Sequence, residues 1–334
     1  MLTRARLESL LNSSASLRIA VVGDAMLDVY LRGDVDRISP EAPVPVVRVT
    51  ERKDALGGAA NVAHNVAALG ARCELVAVVG NDLAGDRLGQ MIGAHGGETR
   101  GLVKATRPTT TKTRVLARAQ QLIRVDEEVD ADISGADVKA LLAAVDRAVA
   151  DADAVILEDY NKGVLVVPVI ERAIAKARAK NIPVVVDPKY RNFFAYRGAT
   201  VFKPNRRELE AALGAAVDLD HPGALPAVLE RLGVSQLLLT LSERGMALVH
   251  TNGDRRQSAD VVVDRIPTTA REVYDVVGAG DTVIAYLAAM LAAGATPLEA
   301  AEIANYAAGV EVGKLGAATV SPAEVLEAFD AHVA

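Results

Sequence analysis

RIAVVG, Arg18–Gly23, is an unbroken apolar run that ends in Gly-Asp at Gly23 and Asp24. Such a run predicts a strand buried on both faces, as in parallel sheets covered by helices on either side. Similar runs recur at residues 74–80, 154–158, 182–187, 199–203 and 236–240. Between most of them the apolar residues take helical spacing, at 59–69, 83–94, 135–150, 167–179, 206–213 and 225–232. Alternation of this kind predicts an α/β fold: a mostly parallel central sheet flanked by helices, with right-handed crossovers. From Gly278 onward the pattern is three helical segments, punctuated by Gly294, Pro297 and Gly316.

Two stretches break the rhythm. Residues 29–49 and 109–126 are rich in β-branched side chains, and the first carries Pro40, Pro43 and Pro45, which no helix interior accommodates. They predict one small β-lid, at about 29–50 and 108–126, projecting over an edge of the main sheet. No low-complexity linker or internal repeat divides the chain, so a single domain over 1–334 is expected.

Composition narrows the function. The 334 residues carry a net charge of −6 and include 4 Phe, 7 Tyr and no Trp. Ala, Val and Leu must therefore fill the core, and aromatic platforms for single-stranded nucleic acid are not expected. An acidic balance also argues against a phosphate-backbone partner, while leaving room for a small anionic substrate in a local cationic pocket. Cys73 stands alone, which excludes an internal disulfide and a cysteine-based zinc cluster, and it reads as a small buried hydrophobe. The five His lack metal-ligand spacing. Residues 1–18 contain no continuous apolar core of the kind a secretory signal needs, and the longest apolar run, 283–295, is too short for a bilayer. A cytoplasmic protein with no membrane partner is expected.

The sharpest local feature is DVVGAGDT, residues 275–282, opening directly into an apolar helix. A Gly-Ala-Gly turn at a helix start brings N–H groups close to an anion, and the helix dipole adds positive potential. Asp281 there is expected to sit comfortably as a carboxylate and to accept a proton from a substrate hydroxyl, or else to cap the helix. Residues 309–315 (GVEVGKL) fail the P-loop spacing, and no GxGxxG follows the first strand. A second cluster joins Asp24 and Asp28, just past the first strand, to Gly57, Gly58 and Asn61 at the next helix start; it reads as a sugar-hydroxyl site or as ordinary turn chemistry. A third joins Asp187 and Lys189 to Lys203, Asn205 and Glu208. Asn205 and Glu208 have capping-box spacing, while Glu208 is also placed to hold Mg²⁺ through water and Lys189 to meet an anionic group.

The Gly-Ala-Gly-Asp turn, the Gly57-to-Asn61 segment GGAAN and the Asn-x-x-Glu at 205–208 together resemble the PfkB, or ribokinase-like, carbohydrate kinases. Segments 37–47, 57–63, 120–126, 196–200, 272–283 and 312–322 narrow the resemblance to the heptose-7-phosphate kinases within that family. The resemblance implies a ribokinase-like sheet with a β-lid that often makes a homodimer contact. It implies ATP and Mg²⁺, with transfer of the γ-phosphoryl group to the anomeric hydroxyl of D-glycero-β-D-manno-heptose 7-phosphate, a step toward ADP-heptose and the lipopolysaccharide inner core. Carried over by position, Asp281 is the general base and Gly278, Ala279 and Gly280 form the anion hole. Asn205, Arg206, Arg207 and Glu208 line the nucleotide phosphates, with Glu208 holding the metal through water; Ser242, Gly245 and Asn305 lie along the nucleotide. Asp24, Asp28, Gly57, Gly58 and Asn61 hold the sugar, and Lys112, Arg114 and Lys189 are assigned to its 7-phosphate.

Three departures stand out. Val277 occupies a position where many relatives carry Thr or Ser, and Val283 and Tyr286 replace an aromatic and a small residue. Some heptose kinases carry a nucleotidyltransferase domain downstream; this chain ends at Ala334, so a monofunctional enzyme is expected. Two other readings stay open: a PfkB-type kinase for a furanose, a hexose phosphate or a nucleoside, and a non-catalytic sugar-binding regulator on the same scaffold.

Overall fold

The computed structural model describes residues 2–118, 120–251 and 261–333. Met1, Ala119, residues 252–260 and Ala334 fall within the expected domain, and Ala119 within the expected lid; they lie outside the described residues. Strand β1 (Arg18–Gly23) runs mid-sheet, parallel to β4 (Arg72–Gly80) on one side and β9 (Ala154–Glu158) on the other. All of β1 beyond Arg18 is buried, as its continuous apolar run requires. Past β9 the sheet continues through parallel β10 (Val184–Asp187), β11 (Val201–Phe202) and β12 (Gln236–Thr240), then antiparallel through β13 (Met246–Thr251) and β14 (Val261–Ile266). The other edge carries the short β5 (Gly97–Glu98) and β6 (Leu102–Ala105) against β4.

Six helices match the sequence periodicity to within one residue: α2 (Ala59–Ala68), α3 (Leu83–Ala94), α4 (Gly135–Asp151), α5 (Val167–Ala179), α6 (Arg206–Leu213) and α7 (Leu225–Leu232). After Gly278 come α8 (Ala279–Ala292), α9 (Pro297–Glu311) and α10 (Pro322–Val333). Helix α1 (Arg4–Ser14) is an addition to the expected set; Leu7, Leu10, Leu11 and Ser14 give it a buried stripe, and Thr3 caps it by accepting from the Arg6 N–H at 3.2 Å. The antiparallel edge β13–β14 is likewise additional. Strand β10 starts later than residue 182 because Pro183 accepts from the Val155 N–H but has none to donate.

An apolar core lies on each face of the sheet. One joins α1, α2, α3, α8, α9 and α10; the other joins α4, α5, α6 and α7. Cys73 is buried in the first, and burial pushes its thiol well up, out of reactive range. Helix α8 is apolar on all sides and buried from Asp281 through Met290, the behaviour of a helix packed all round. Its packing against β9 and β10 fixes its N-terminus at the carboxyl ends of those strands, where open α/β sheets bind ligands.

The two β-branched stretches form a separate sheet in the order β3 (Pro45–Gly58), β2 (Ala25–Ile38), β7 (Thr111–Ala117), β8 (Gln120–Glu127). The lid strands run longer than the expected 29–50. Strand β2 begins two residues after β1, and β3 ends at the first turn of α2, so Asp28, Gly57 and Gly58 belong to the base of the lid. Pro40 and Pro43 fall in the turn, and Pro45 is the first residue of its strand, where a missing N–H costs least. Residues 28, 30, 112, 114, 124 and 126 are in register on one face of this sheet.

Candidate active site

Gly278 caps α8 with φ of 98°, a backbone conformation that glycine adopts without strain. A side chain there would also press on the Asn61 amide nitrogen and a Glu311 oxygen, each 3.2 Å from an added Cβ. Asp281 lies in the first helical turn, where N–H groups lack intrahelical acceptors. Its carboxylate accepts from Asn61 Nδ2 at 2.7 Å and from the Tyr160 hydroxyl at 3.1 Å. These partners come from α2 and from the loop after β9, so two distant segments hold one carboxylate.

The expected comfort of Asp281 at the helix dipole is outweighed. Burial pushes its carboxyl up to about 6; the Asn61 amide, the Tyr160 hydroxyl and Lys203 pull it down, while Asp187 adds to the rise. A carboxylate poised there is ionised at neutral pH yet basic enough to take a hydroxyl proton.

Two cavities border the turn, and a third adjoins one of them. The first, about 210 Å³, is lined by Asp28, Gly57, Gly58, Asn61, Lys112, Arg114, Arg124, Tyr160, Gly278 and Asp281. The second, about 460 Å³, has Ala279, Gly280, Ser242, Gly245 and Asn305 in its wall, with apolar Val273, Val276 and Val312. The third, about 820 Å³, contains Lys189, Asn205, Arg206, Arg207 and Glu208, and shares Thr240, Ser242 and Glu243 with the second. Residues 277–281 thus stand between a small polar cleft under the lid and a large two-part cavity. Asn205 and Glu208 form the capping box of α6, with bonds of 2.8 and 2.9 Å, and the other Glu208 oxygen accepts from Lys189 at 2.5 Å.

Two residues assigned to the sugar from the sequence lie apart from the small cleft. Asp24 does sit past the end of β1, but its carboxylate turns inward and accepts the N–H groups of Tyr160, Lys162 and Val164 at 2.8, 2.9 and 3.1 Å. It shapes the loop that presents Tyr160 and is absent from the cleft wall. Lys189 lies with Glu208 in the large cavity, apart from Lys112 and Arg114, and its ammonium stands 5.6 Å over the Tyr160 ring.

Three contributors carried no functional assignment in the sequence reading. Tyr160 follows the carboxyl end of β9, the same kind of position that marked Asp24. Arg124 alternates along β8 with Ile123 and Val125 and so faces the cleft while they face outward. It is the register partner of Arg114, so two guanidiniums face each other across strands, each held by a carboxylate: Arg114 by Asp28 at 2.5 Å, Arg124 by Asp126 at 2.9 Å. Lys203, beside the Asn-x-x-Glu motif, pairs with Asp187 at 2.6 Å beneath the turn.

Phosphoryl transfer needs a base for the hydroxyl proton and donors for the moving charge on either side of one point. The Asp281 carboxylate and the first-turn N–H groups of α8 have the chemistry that both roles require, and the α/β fold around them is ribokinase-like. Residues 16–324 match the model of the pfkB carbohydrate kinases, and the chain belongs to that family. The bifunctional protein HldE of Rhodospirillum rubrum is 46% identical over 325 residues, covering 96% of this chain and 64% of that protein. The chain thus spans a little under two thirds of the length of such relatives. Among solved structures, ribokinase from Arabidopsis thaliana, complexed with ribose and ATP, superposes with a TM-score of 0.70 at 21% identity, over 94% of this chain and 98% of that one. The tetrameric inhibited form of phosphofructokinase-2 from Escherichia coli gives 0.75 at 17% identity, over 95% and 100%. The resemblance read from the motifs is borne out at the level of family, fold and enzyme class.

Proposed function

We propose that this kinase phosphorylates a sugar that already bears a phosphate, and that its substrate is D-glycero-β-D-manno-heptose 7-phosphate, converted to the 1,7-bisphosphate with ATP on the way to ADP-heptose. The observation that carries this reading is the small cleft, with Asp281 in one wall and Lys112, Arg114 and Arg124 in another. Arg114 and Arg124 are directly opposite on paired strands, and a phosphate between them would exchange with the Asp28 and Asp126 carboxylates that hold them. Arg124 replaces Lys189 in the group assigned to the 7-phosphate; Lys189, beside Glu208, is assigned to the nucleotide phosphates. The match to HldE proteins supports the heptose, and the ribokinase solved with ribose and ATP supports the nucleotide.

In this reading Asp281 removes the proton of the anomeric hydroxyl, the oxygen attacks the γ-phosphorus, and ADP leaves on the far side. First-turn N–H groups of α8 meet the charge on the transferring group. Mg²⁺, when bound, offsets charge on the β- and γ-phosphates. Among the described residues no cluster of three acidic, His or Cys side chains forms a metal cage, and the lone Glu208 carboxylate suits a cation held mostly by phosphate oxygens and water. No helix among the described residues is long and apolar enough to cross a membrane, and the proposed location is the cytoplasm.

An ADP-release assay across heptose 7-phosphate, ribose, fructose, fructose 6-phosphate and adenosine tests the assignment; heptose 7-phosphate is expected to be the best acceptor, and an unphosphorylated sugar in first place refutes it. Arg124→Ala is expected to raise KM for the sugar phosphate about 10-fold to 100-fold, the range of one charged hydrogen-bonding contact, with KM for ATP nearly unchanged. Equal changes in both KM values would place the phosphate elsewhere.

The outward lid face carries Ile123 and Val125, 55% and 46% exposed, together with Ile38 and Val49. We assign it to a second copy of the chain, giving a homodimer. Ile123→Asp with Val125→Asp is expected to halve the mass seen by light scattering; an unchanged mass would send the contact to another face.

A further inference from the structure

The carboxyl ends of β9, β10 and β11 place Glu158, Asp187 and Lys203 side by side beneath the first turn of α8. Lys203 is only 3% exposed, yet its ammonium lies 3.6 Å from where a Cβ on Gly280 would be, and the Asp187 carboxylate lies 3.7 Å from the same point. A fully desolvated lysine is costly unless paired, and the 2.6 Å contact with Asp187 pairs it. Burial pulls the Lys203 ammonium down, but Asp187 and Glu158 outweigh it and keep the charge. The neighbouring Glu158 carboxyl is pushed well up, first by burial and then by Asp187 and Asp281. The chain therefore keeps one buried cation directly under the amides that face the second cavity.

We propose that Lys203 and Asp187 are positioning residues for phosphoryl transfer: Lys203 holds a positive field at Gly280, where negative charge gathers, and Asp187 keeps that ammonium aimed at the turn. Neither side chain lines the cleft or the two larger cavities. Both act through the turn and through the Asp281 carboxylate. Asp281 meets Asn61 from α2, Glu158 and Tyr160 from β9 and its loop, Asp187 from β10, Lys203 after β11 and Glu311 from α9. Among these groups Lys203 is the one cation, so removing it and removing Asp187 act on Asp281 with opposite sign.

This inference rests on Asp281 being the base, and its test reads Asp281 directly. The Asp281 carboxyl is followed by ¹³C NMR titration, assigned with Asp281→Asn, alongside the acid limb of kcat with the best sugar acceptor. Lys203→Met is expected to move the titration up by roughly one pH unit, the lower range for loss of a nearby charge, and to lower kcat. Asp187→Asn is expected to move it down. Because Lys203→Met leaves a buried carboxylate unpaired, the double variant Lys203→Met with Asp187→Asn serves as the folding control: it is expected to melt near the parent temperature with kcat still low. A titration that stays in place, moves the same way in both single variants, or a double variant with parental kcat would overturn the proposal. If the titration moves as expected while no sugar phosphate is turned over, the proposed substrate falls and the role of the pair stands.

Discussion

Asp281→Asn is expected to lower kcat by on the order of 10³-fold, the middle of the range for losing a general base, while the Kd for ATP stays within a few-fold. The substitution keeps shape and hydrogen bonding. Its amide oxygen can accept from Asn61, and its NH₂ can donate to Tyr160, whose hydroxyl turns to accept. What disappears is the capacity to take a proton, so the loss belongs in kcat rather than in nucleotide binding. With Asp281 as the proposed base, kcat of the parent is expected to fall as pH drops through about 6, the point to which burial first of all raises the Asp281 carboxyl.

The sign of the effect on stability is opposite. The folded carboxyl titrates near 6 and the unfolded one near 3.8, so the stability present below 3.8 is lost as pH rises through about 6. Two units correspond to about 3 kcal/mol at most. Asp281→Asn, which never ionises, is therefore expected to melt several degrees above the parent at pH 8 and to lose that margin near pH 4. A variant that melts lower than the parent at pH 8 would show that ionised Asp281 is not strained, and kcat near the parental value would remove it as the base.

The parts of the fold legible in the sequence were those set by local burial. An apolar run such as residues 18–23 has one stable use in a chain with so many intervening amphipathic helices, and helix bounds followed from where the apolar spacing stopped. Strands β13 and β14 form an antiparallel edge outside that alternation, and α1 precedes the first strand and so also falls outside it. The candidate active-site turn stood out in the sequence because Gly-Ala-Gly before an apolar helix has a local physical meaning. Its partners were harder to place. The Asn61–Asp281 bond joins residues 220 apart, and the direction in which Asp24 turns depends on a loop at 160–164. Arg124 required the register of β7 against β8, since a one-residue slip would have sent it outward with Ile123.

Glu311→Gln is the second change with a large expected effect, and the same periodicity points to it. Helix α9 buries Ala300, Ala304 and Ala307, and Glu311 continues that stripe with a charged residue in a core position. It is fully buried, and neither of its carboxyl oxygens closes a hydrogen bond with a described residue. Burial is the main reason its carboxyl is pushed up to about 8; the nearby Ala318 amide, outside hydrogen-bonding geometry, offsets part of this, and Asp281 and Asp275 add their charge. The folded group thus holds a proton that the unfolded chain releases near 4.5, so stability present below 4.5 is lost steadily up to about pH 8. The full difference amounts to roughly 4–5 kcal/mol. A buried glutamine amide with imperfect partners gives back about 1–3 kcal/mol of it. Glu311→Gln is expected to gain on the order of 2 kcal/mol at pH 8, or about 3 °C in Tm for a chain this large, and at pH 4.5, where the parent carboxyl is protonated when folded and half protonated when unfolded, to lose about 1–2 kcal/mol from the imperfectly partnered amide. Melting curves at pH 4.5, 7 and 9 check this, and a margin independent of pH would rule out the buried carboxyl as its cause. Activity supplies a second reading at the same residue. Glu311 lies against Gly278, so its ionisation above pH 8 puts a negative charge beside the turn proposed to meet the phosphoryl group. The parent is expected to lose kcat on that alkaline side, and the glutamine variant to keep it to higher pH.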